Sequence, residues 1–214
     1  MFVDLVGSTE LSARLDPEDM GQLVRAYQGC CADVIERWGG YVAKYMGDGV
    51  LAYFGDPRAH EDEAERAVRA GLELVGAVAR LETTGHRLAA RVGIATGLVM
   101  VGDLIGEGAA REEAVGGETP NLAARLQALA APGTVVVAAS TRHLLGGLFE
   151  LDDLGPVRLK GFAEPHAAFR VVGEGRAESR FEAMHAAGLT PLIGREHELE
   201  ILLERWAWAN DGDG

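Results

Sequence analysis

Two aspartates stand where the chain turns. Asp4 closes a short apolar run, FVDLV, just before Gly7-Ser8-Thr9, and Asp48 sits between glycines in YVAKYMGDGVLAYFG, residues 41 to 55. The flanks of that second stretch read as strands and its centre as a tight turn. Carboxylates on neighbouring strands can hold divalent cations, with phosphate oxygens completing the coordination. A Gly-Asp pair also suits a turn for its own sake, so Asp48 alone leaves both readings open. The loop after Asp4 runs into a helix N-terminus, whose unpaired N–H groups and positive dipole end suit phosphate. A third element narrows the choice. GGETPNLAARLQALA starts a helix with Asn121 and Arg125 four residues apart, on one face. An amide can orient a sugar or ring oxygen, and a permanently charged guanidinium can stabilise charge on a transferring phosphoryl group. Taken alone, that segment also reads as a capped surface helix.

Composition sets the frame for these residues. The chain has 214 residues, 48% of them hydrophobic, enough for one sizeable core plus an appendage. No apolar run is long enough for a transmembrane helix, and no basic region followed by an apolar stretch opens the chain. Cys30 and Cys31 are adjacent in a helical pattern, a poor geometry for a disulfide and no metal spacing. A cytoplasmic protein without membrane partners is expected. The net charge of −13 argues against nucleic acid as a partner. An acidic protein that handles a polyphosphate must do so with metal ions or a few placed cations. Of its 20 basic residues only Lys44 and Lys160 are lysines. A coding bias toward arginine accounts for most of that, yet a compact ammonium is a distinct tool.

The elements that must position these groups can be read in order. A first strand ends at Asp4, and Ser8 or Thr9 can cap the helix that follows. Pro17 marks a fresh helix start. Leu23, Tyr27, Val34 and Trp38 then recur at helical spacing, and Gly39-Gly40 stops the run. The hairpin at 41 to 55 is followed by an amphipathic helix bearing Ala67, Leu74, Val78 and Leu81. RLAARVGIATGLVMVGDLIG suggests two strands folded at Gly97. A helix is expected with Thr119 as N-cap and Pro120 in its first turn. A strand, GTVVVAAS, a short helix, TRHLLGGL, and two closing strands complete the pattern. The order β-α-β-β-α-β with C-terminal additions predicts an α/β fold, an α+β sandwich with a ferredoxin-like core and helices mainly on one face.

In this order and spacing, FVDLVGST, KYMGDGVLAYFG, RVGIATGLVMVGD and VGGETPNLAARL resemble the class III nucleotidyl cyclase catalytic domain. The resemblance covers residues 2 to about 172, and a catalytic domain is expected at 1–173. It implies conversion of a nucleoside triphosphate to its 3′,5′-cyclic monophosphate with release of pyrophosphate. It implies two Mg²⁺ or Mn²⁺ ions per site, held by Asp4, Asp48 and the Leu5 carbonyl, with the amides of Val6, Gly7, Ser8 and Thr9 facing the phosphates. Lys44 matches the base-reading lysine of adenylyl cyclases. An ammonium can donate to N1 of adenine, whereas guanine presents a donor there, so ATP is the expected substrate. Asn121 matches the ribose-orienting asparagine, Arg125 the transition-state arginine, and Lys160 lies near a phosphate-binding lysine. The resemblance further implies a head-to-tail homodimer, with the aspartates of one partner meeting the lysine, asparagine and arginine of the other.

Three features depart from that pattern. The second base-reading position falls on Ala114, which can neither donate nor accept, and adjacent Glu113 would serve only after a register slip. That change favours a rival expectation, a catalytically silent nucleotide-binding or dimerisation module. Only Met1, Phe2 and Val3 precede Asp4, so the first strand is expected to be short and to fray, weakening metal affinity unless further residues lie upstream. Beyond residue 173 the composition shifts. Residues 174–190 read as a linker, and 191–214, with GLTPLIGREHELEILLERW before and across that boundary, resemble the opening of a regulatory P-loop ATPase module. No phosphate-binding glycine loop follows.

Overall fold

The computed structural model describes residues 1–81, 87–103, 113–175, 182–183 and 193–210, with the backbone alone for 101–103 and 113–116. Contacts divide the chain into two units, residues 1–184 and 185–214.

The first unit is built on a seven-stranded sheet. Its strands are β1 (Phe2–Leu5), β2 (Tyr41–Met46), β3 (Gly49–Tyr53), β4 (Ala90–Ile94), β7 (Val135–Ala138), β8 (Phe149–Val157) and β9 (His166–Glu174), in the order β2-β3-β1-β4-β7-β9-β8. Strand β1 lies between β3 and β4 and is antiparallel to both, as a ferredoxin-like core requires. It does not fray. Phe2 already pairs on both sides, and Met1 accepts a hydrogen bond from the Ala52 amide at 2.9 Å. Among the described residues the one parallel pairing joins β4 to β7.

Alternation along β1 sends Val3 and Leu5 to one face and Asp4 to the other. The Val3 face carries the main core. Helices α2 (Pro17–Arg37) and α3 (Glu63–Ala79) cover it with Leu23, Tyr27, Val34, Val68, Leu74 and Val78, and α5 (Ala139–Leu145) adds Leu145. Helix α2 starts where Pro17 predicts, with Asp16 accepting from the Glu18 and Asp19 amides at 2.9 Å. Helix α1 (Ser8–Arg14) differs from expectation: Gly7, at φ 72°, is its N-cap, and neither Ser8 nor Thr9 caps it.

Helices do lie mainly on one face. Helix α4 (Glu118–Leu129) instead packs on the Asp4 face against β4, β7 and β1. It buries Leu126 and Ala130 against Val136, Ala138 and Ala168. Helix α4 begins one residue before the expected cap. Gly117 is its N-cap, and Thr119 instead donates its hydroxyl to the Leu98 carbonyl at 2.9 Å. The two strands expected to fold together at Gly97 also separate. Strand β4 joins the main sheet, while β5 (Met100–Asp103) pairs with an unpredicted strand, β6 (Glu113–Gly116), in a two-stranded ribbon.

The second unit is described only in part. Helix α6 (Glu196–Asn210) leaves Leu202, Leu203, Trp206 and Trp208 exposed. The expected linker, 174–190, falls largely on 176–181 and 184–190, outside the described residues.

Candidate active site

The two aspartates meet at one end of the sheet. Asp48 occupies a two-residue turn between Met46 and Gly49, with Gly47 at φ 64°, a conformation that suits glycine. Gln28 of α2 donates to the Gly47 carbonyl at 2.8 Å and so steadies the turn. Asp4 reaches the same place from β1. Burial pushes its carboxyl up from 3.8 to about 6, and the charge and hydrogen bond of Asp48 push the same way. An amide hydrogen bond from Gln127 and the charge of Arg91 act against the rise.

That arrangement fits a divalent cation. Two carboxylates held together repel each other, and a cation between them would relieve that repulsion. Among the described residues no group of three or more His, Cys, Asp or Glu side chains could ligate an ion. The two aspartates would therefore need main-chain and phosphate oxygens to complete the coordination. Leu5 ends β1 next to Asp4 with its side chain in the core, leaving its carbonyl at the strand end. The Val6 amide is not available for phosphate, because it already donates to Ala89 O at 2.8 Å. Gly7, Ser8 and Thr9 remain at the start of α1.

A second group forms elsewhere on the same unit. Asn121, Arg125 and Lys160 line one cleft of about 620 Å³, together with Gly117, Glu118 and Phe162. Helix α4 presents the first two, and the loop between β8 and β9 presents Lys160. Asn121 donates to the Gly117 carbonyl at 3.2 Å, which orients its amide.

Helix α4 shows why the two groups do not merge within one chain. Its buried side carries Ala123, Leu126 and Gln127, and Gln127 reaches Asp4. At about 100° per residue, Arg125 lies roughly 160° and Asn121 roughly 120° around the helix from Gln127. Both are exposed. Lys44 is on β2, an edge strand, beyond a bulge between Val42 and Lys44 that re-aims the strand, and it is not among the side chains lining the cleft. Ala114 pairs with Gly102 and Glu113 with Asp103 in β5–β6; their side chains lie outside the described residues.

Two residues were missed by sequence reasoning. Gln127 looks like a helix surface residue, yet it is 6% exposed and hydrogen-bonded to Asp4. Arg91 sits directly opposite Asp4 on β4, so both point to the same face. The strand pattern ARVGI shows Arg91 facing away from the core, but only the register reveals its neighbour.

Residues 1–173 match the family described as the adenylate and guanylate cyclase catalytic domain. An uncharacterized protein of Rhizobium meliloti is 38% identical over 213 residues, 99% of this chain. The chain spans only 20% of that relative's length. The crystal structure of the guanylate cyclase domain of RhGC from Catenaria anguillulae, in complex with GTP, is similar at TM-score 0.76 and 26% identity, over 81% of this chain and 94% of that one. That of the adenylyl cyclase CyaB from P. aeruginosa is similar at TM-score 0.73 and 27% identity, over 82% and 93%.

Proposed function

The chain belongs to the adenylate and guanylate cyclase catalytic domain family, and on that footing we propose that it converts ATP to 3′,5′-cyclic AMP and pyrophosphate at sites shared between two copies. The observation that carries the shared site is the split itself. Asp4 and Asp48 stand together, while Asn121, Arg125 and Lys160 line a separate cleft on a helix face turned away from them. A second copy, placed head to tail, would bring each aspartate pair to the other chain's cleft. Exposed apolar side chains support such a surface: Tyr41, Tyr45 and Met46 on β2, and Leu98 and Met100 beside the start of α4, Leu98 being 96% exposed.

Asp4, Asp48 and the Leu5 carbonyl would hold two Mg²⁺ or Mn²⁺ ions, which supply the Lewis acidity that eases ionisation of the ribose 3′-hydroxyl. The 3′-oxygen then attacks the α-phosphorus, the bond to the pyrophosphate oxygen breaks, and the hydroxyl proton leaves to solvent. Arg125 offsets negative charge gathering on the α-phosphate and the leaving group. Asn121 orients the ribose. Lys160 and Arg91 offer cations to the outer phosphates, with the amides of Gly7, Ser8 and Thr9 beside them. Lys44 donates to adenine N1.

The choice of ATP rests on Lys44, and a cyclase similar to this chain is solved with GTP. Incubating the purified chain with Mn²⁺ and either ATP or GTP decides between them by product analysis. Cyclic AMP as the main product supports the reading, and predominant cyclic GMP replaces it with a guanylyl cyclase. No cyclic product from a folded dimer that binds nucleotide favours the silent module. The longer relative leaves room for further domains, and we propose that the segment from 191 onward opens a regulatory module, of the ATPase type, carried by a longer protein or a partner.

A further inference from the structure

Beside its hydrogen bond with Asp48, Asp4 accepts one from across the fold. Gln127, 123 positions later in the chain, directs its Nε2 to Asp4 Oδ2 at 3.1 Å. The residue is 6% exposed, in a helix face otherwise filled by Ala123 and Leu126. An apolar side chain would fill that place without the need to satisfy a buried amide. The close approach is deliberate in geometric terms. Strand β4 carries Gly93 directly beneath α4, where any Cβ would lie 2.1 Å from the Ala123 carbonyl oxygen and 2.3 Å from the Gln127 main-chain nitrogen. The missing side chain lets the helix backbone settle onto the strand next to β1, and this brings the carboxamide to Asp4.

The chemistry of the donor matters. Arg91 already sets one cation beside Asp4, and a lysine or arginine at 127 would add a second that competes with a metal ion for the carboxylate. A carboxylate would add to the repulsion that Asp48 already exerts. A neutral amide fixes the rotamer, occupies one lone-pair direction of Oδ2, and adds no charge of its own to compete with a metal ion. We propose that Gln127 is a positioning residue that holds Asp4 in its metal-binding orientation. The inference rests on the cyclase reading of Asp4.

The test compares wild type with Gln127→Met, which keeps length and shape but lacks the donor. Binding of MnCl₂ is followed by electron paramagnetic resonance in the presence of 3′-deoxy-ATP, which has no attacking hydroxyl. Thermal unfolding of the metal-free proteins is recorded beside it. Losing the donor is expected to weaken Mn²⁺ binding roughly 10–100-fold. In turnover, the Mn²⁺ needed for half-maximal rate rises in parallel, and kcat at saturating Mn²⁺ falls less than the affinity does. Gln127→Asn, which withdraws the same amide by one methylene, is expected to act in the same direction, and it decides the matter should the methionine variant fold poorly. Wild-type Mn²⁺ affinity in folded variants overturns this inference alone. Absence of Mn²⁺ binding in the wild type overturns it together with the cyclase reading.

Discussion

Gly93 of β4 lies so close beneath Gln127 of α4 that an added Cβ would stand 2.3 Å from the Gln127 main-chain nitrogen. No side-chain rotation relieves such a contact, since the opposing atoms are backbone. Gly93→Ala must therefore push α4 outward. The expected cost is about 1–3 kcal/mol, the range for overpacking a close contact. Because α4 carries Gln127, Asn121 and Arg125, turnover should fall further than stability. Urea unfolding and steady-state rates on the same preparation check this. An unchanged rate in a destabilised variant would separate α4 from the site.

The Asp4 carboxyl provides a pH-dependent test with a defined sign. Its pKa in the folded chain is raised from 3.8 to about 6, chiefly by burial and then by Asp48. A raised carboxyl contributes stability below its unfolded pKa, and that contribution is lost as pH rises through the folded value. Without metal, wild type should therefore lose stability between about pH 4 and pH 6. Asp4→Asn removes the ionisation. In EDTA at pH 7.5 it should be more stable than wild type by about 1 kcal/mol, discounted for partial solvent exposure, with the gain vanishing near pH 4. Saturating Mn²⁺ with nucleotide should reverse the order, because only wild type gains from the ion.

Lys44 stands on the edge strand β2, past its bulge. If its ammonium reads N1 of adenine, Lys44→Glu should lower kcat/KM for ATP by at least about tenfold and improve GTP relative to ATP. The readout is the ratio of the two specificity constants. An unchanged ratio would remove Lys44 from base recognition.

The hairpin around Asp48 was legible because its signal is local: two apolar flanks and a Gly-Asp-Gly tip. The start of α2 was legible for the same reason, from Pro17. What the pattern hid depends on distant partners. The run from 87 to 106 looks like a hairpin at Gly97, yet β4 is drawn into parallel pairing with β7, and β5 is left to pair with β6. Parallel pairing leaves no turn signal between its strands. Gln127 resembles any polar residue in an amphipathic helix, and its burial follows from a glycine on a strand that precedes it by 34 positions. The placement of Asn121, Arg125 and Lys160 in one cleft needed the loop between β8 and β9, which spacing alone does not locate.

The shared site is tested most directly by mixing two inactive variants. Asp48→Ala removes one aspartate, and Arg125→Ala removes the cation from the separate cleft. Each alone should be without turnover. In an equal mixture half of the dimers are mixed, and each mixed dimer keeps one complete site, so cyclic AMP formation should return to about one quarter of the wild-type rate. Continued silence from a mixture in which mixed dimers are demonstrated would contradict a site built from two chains.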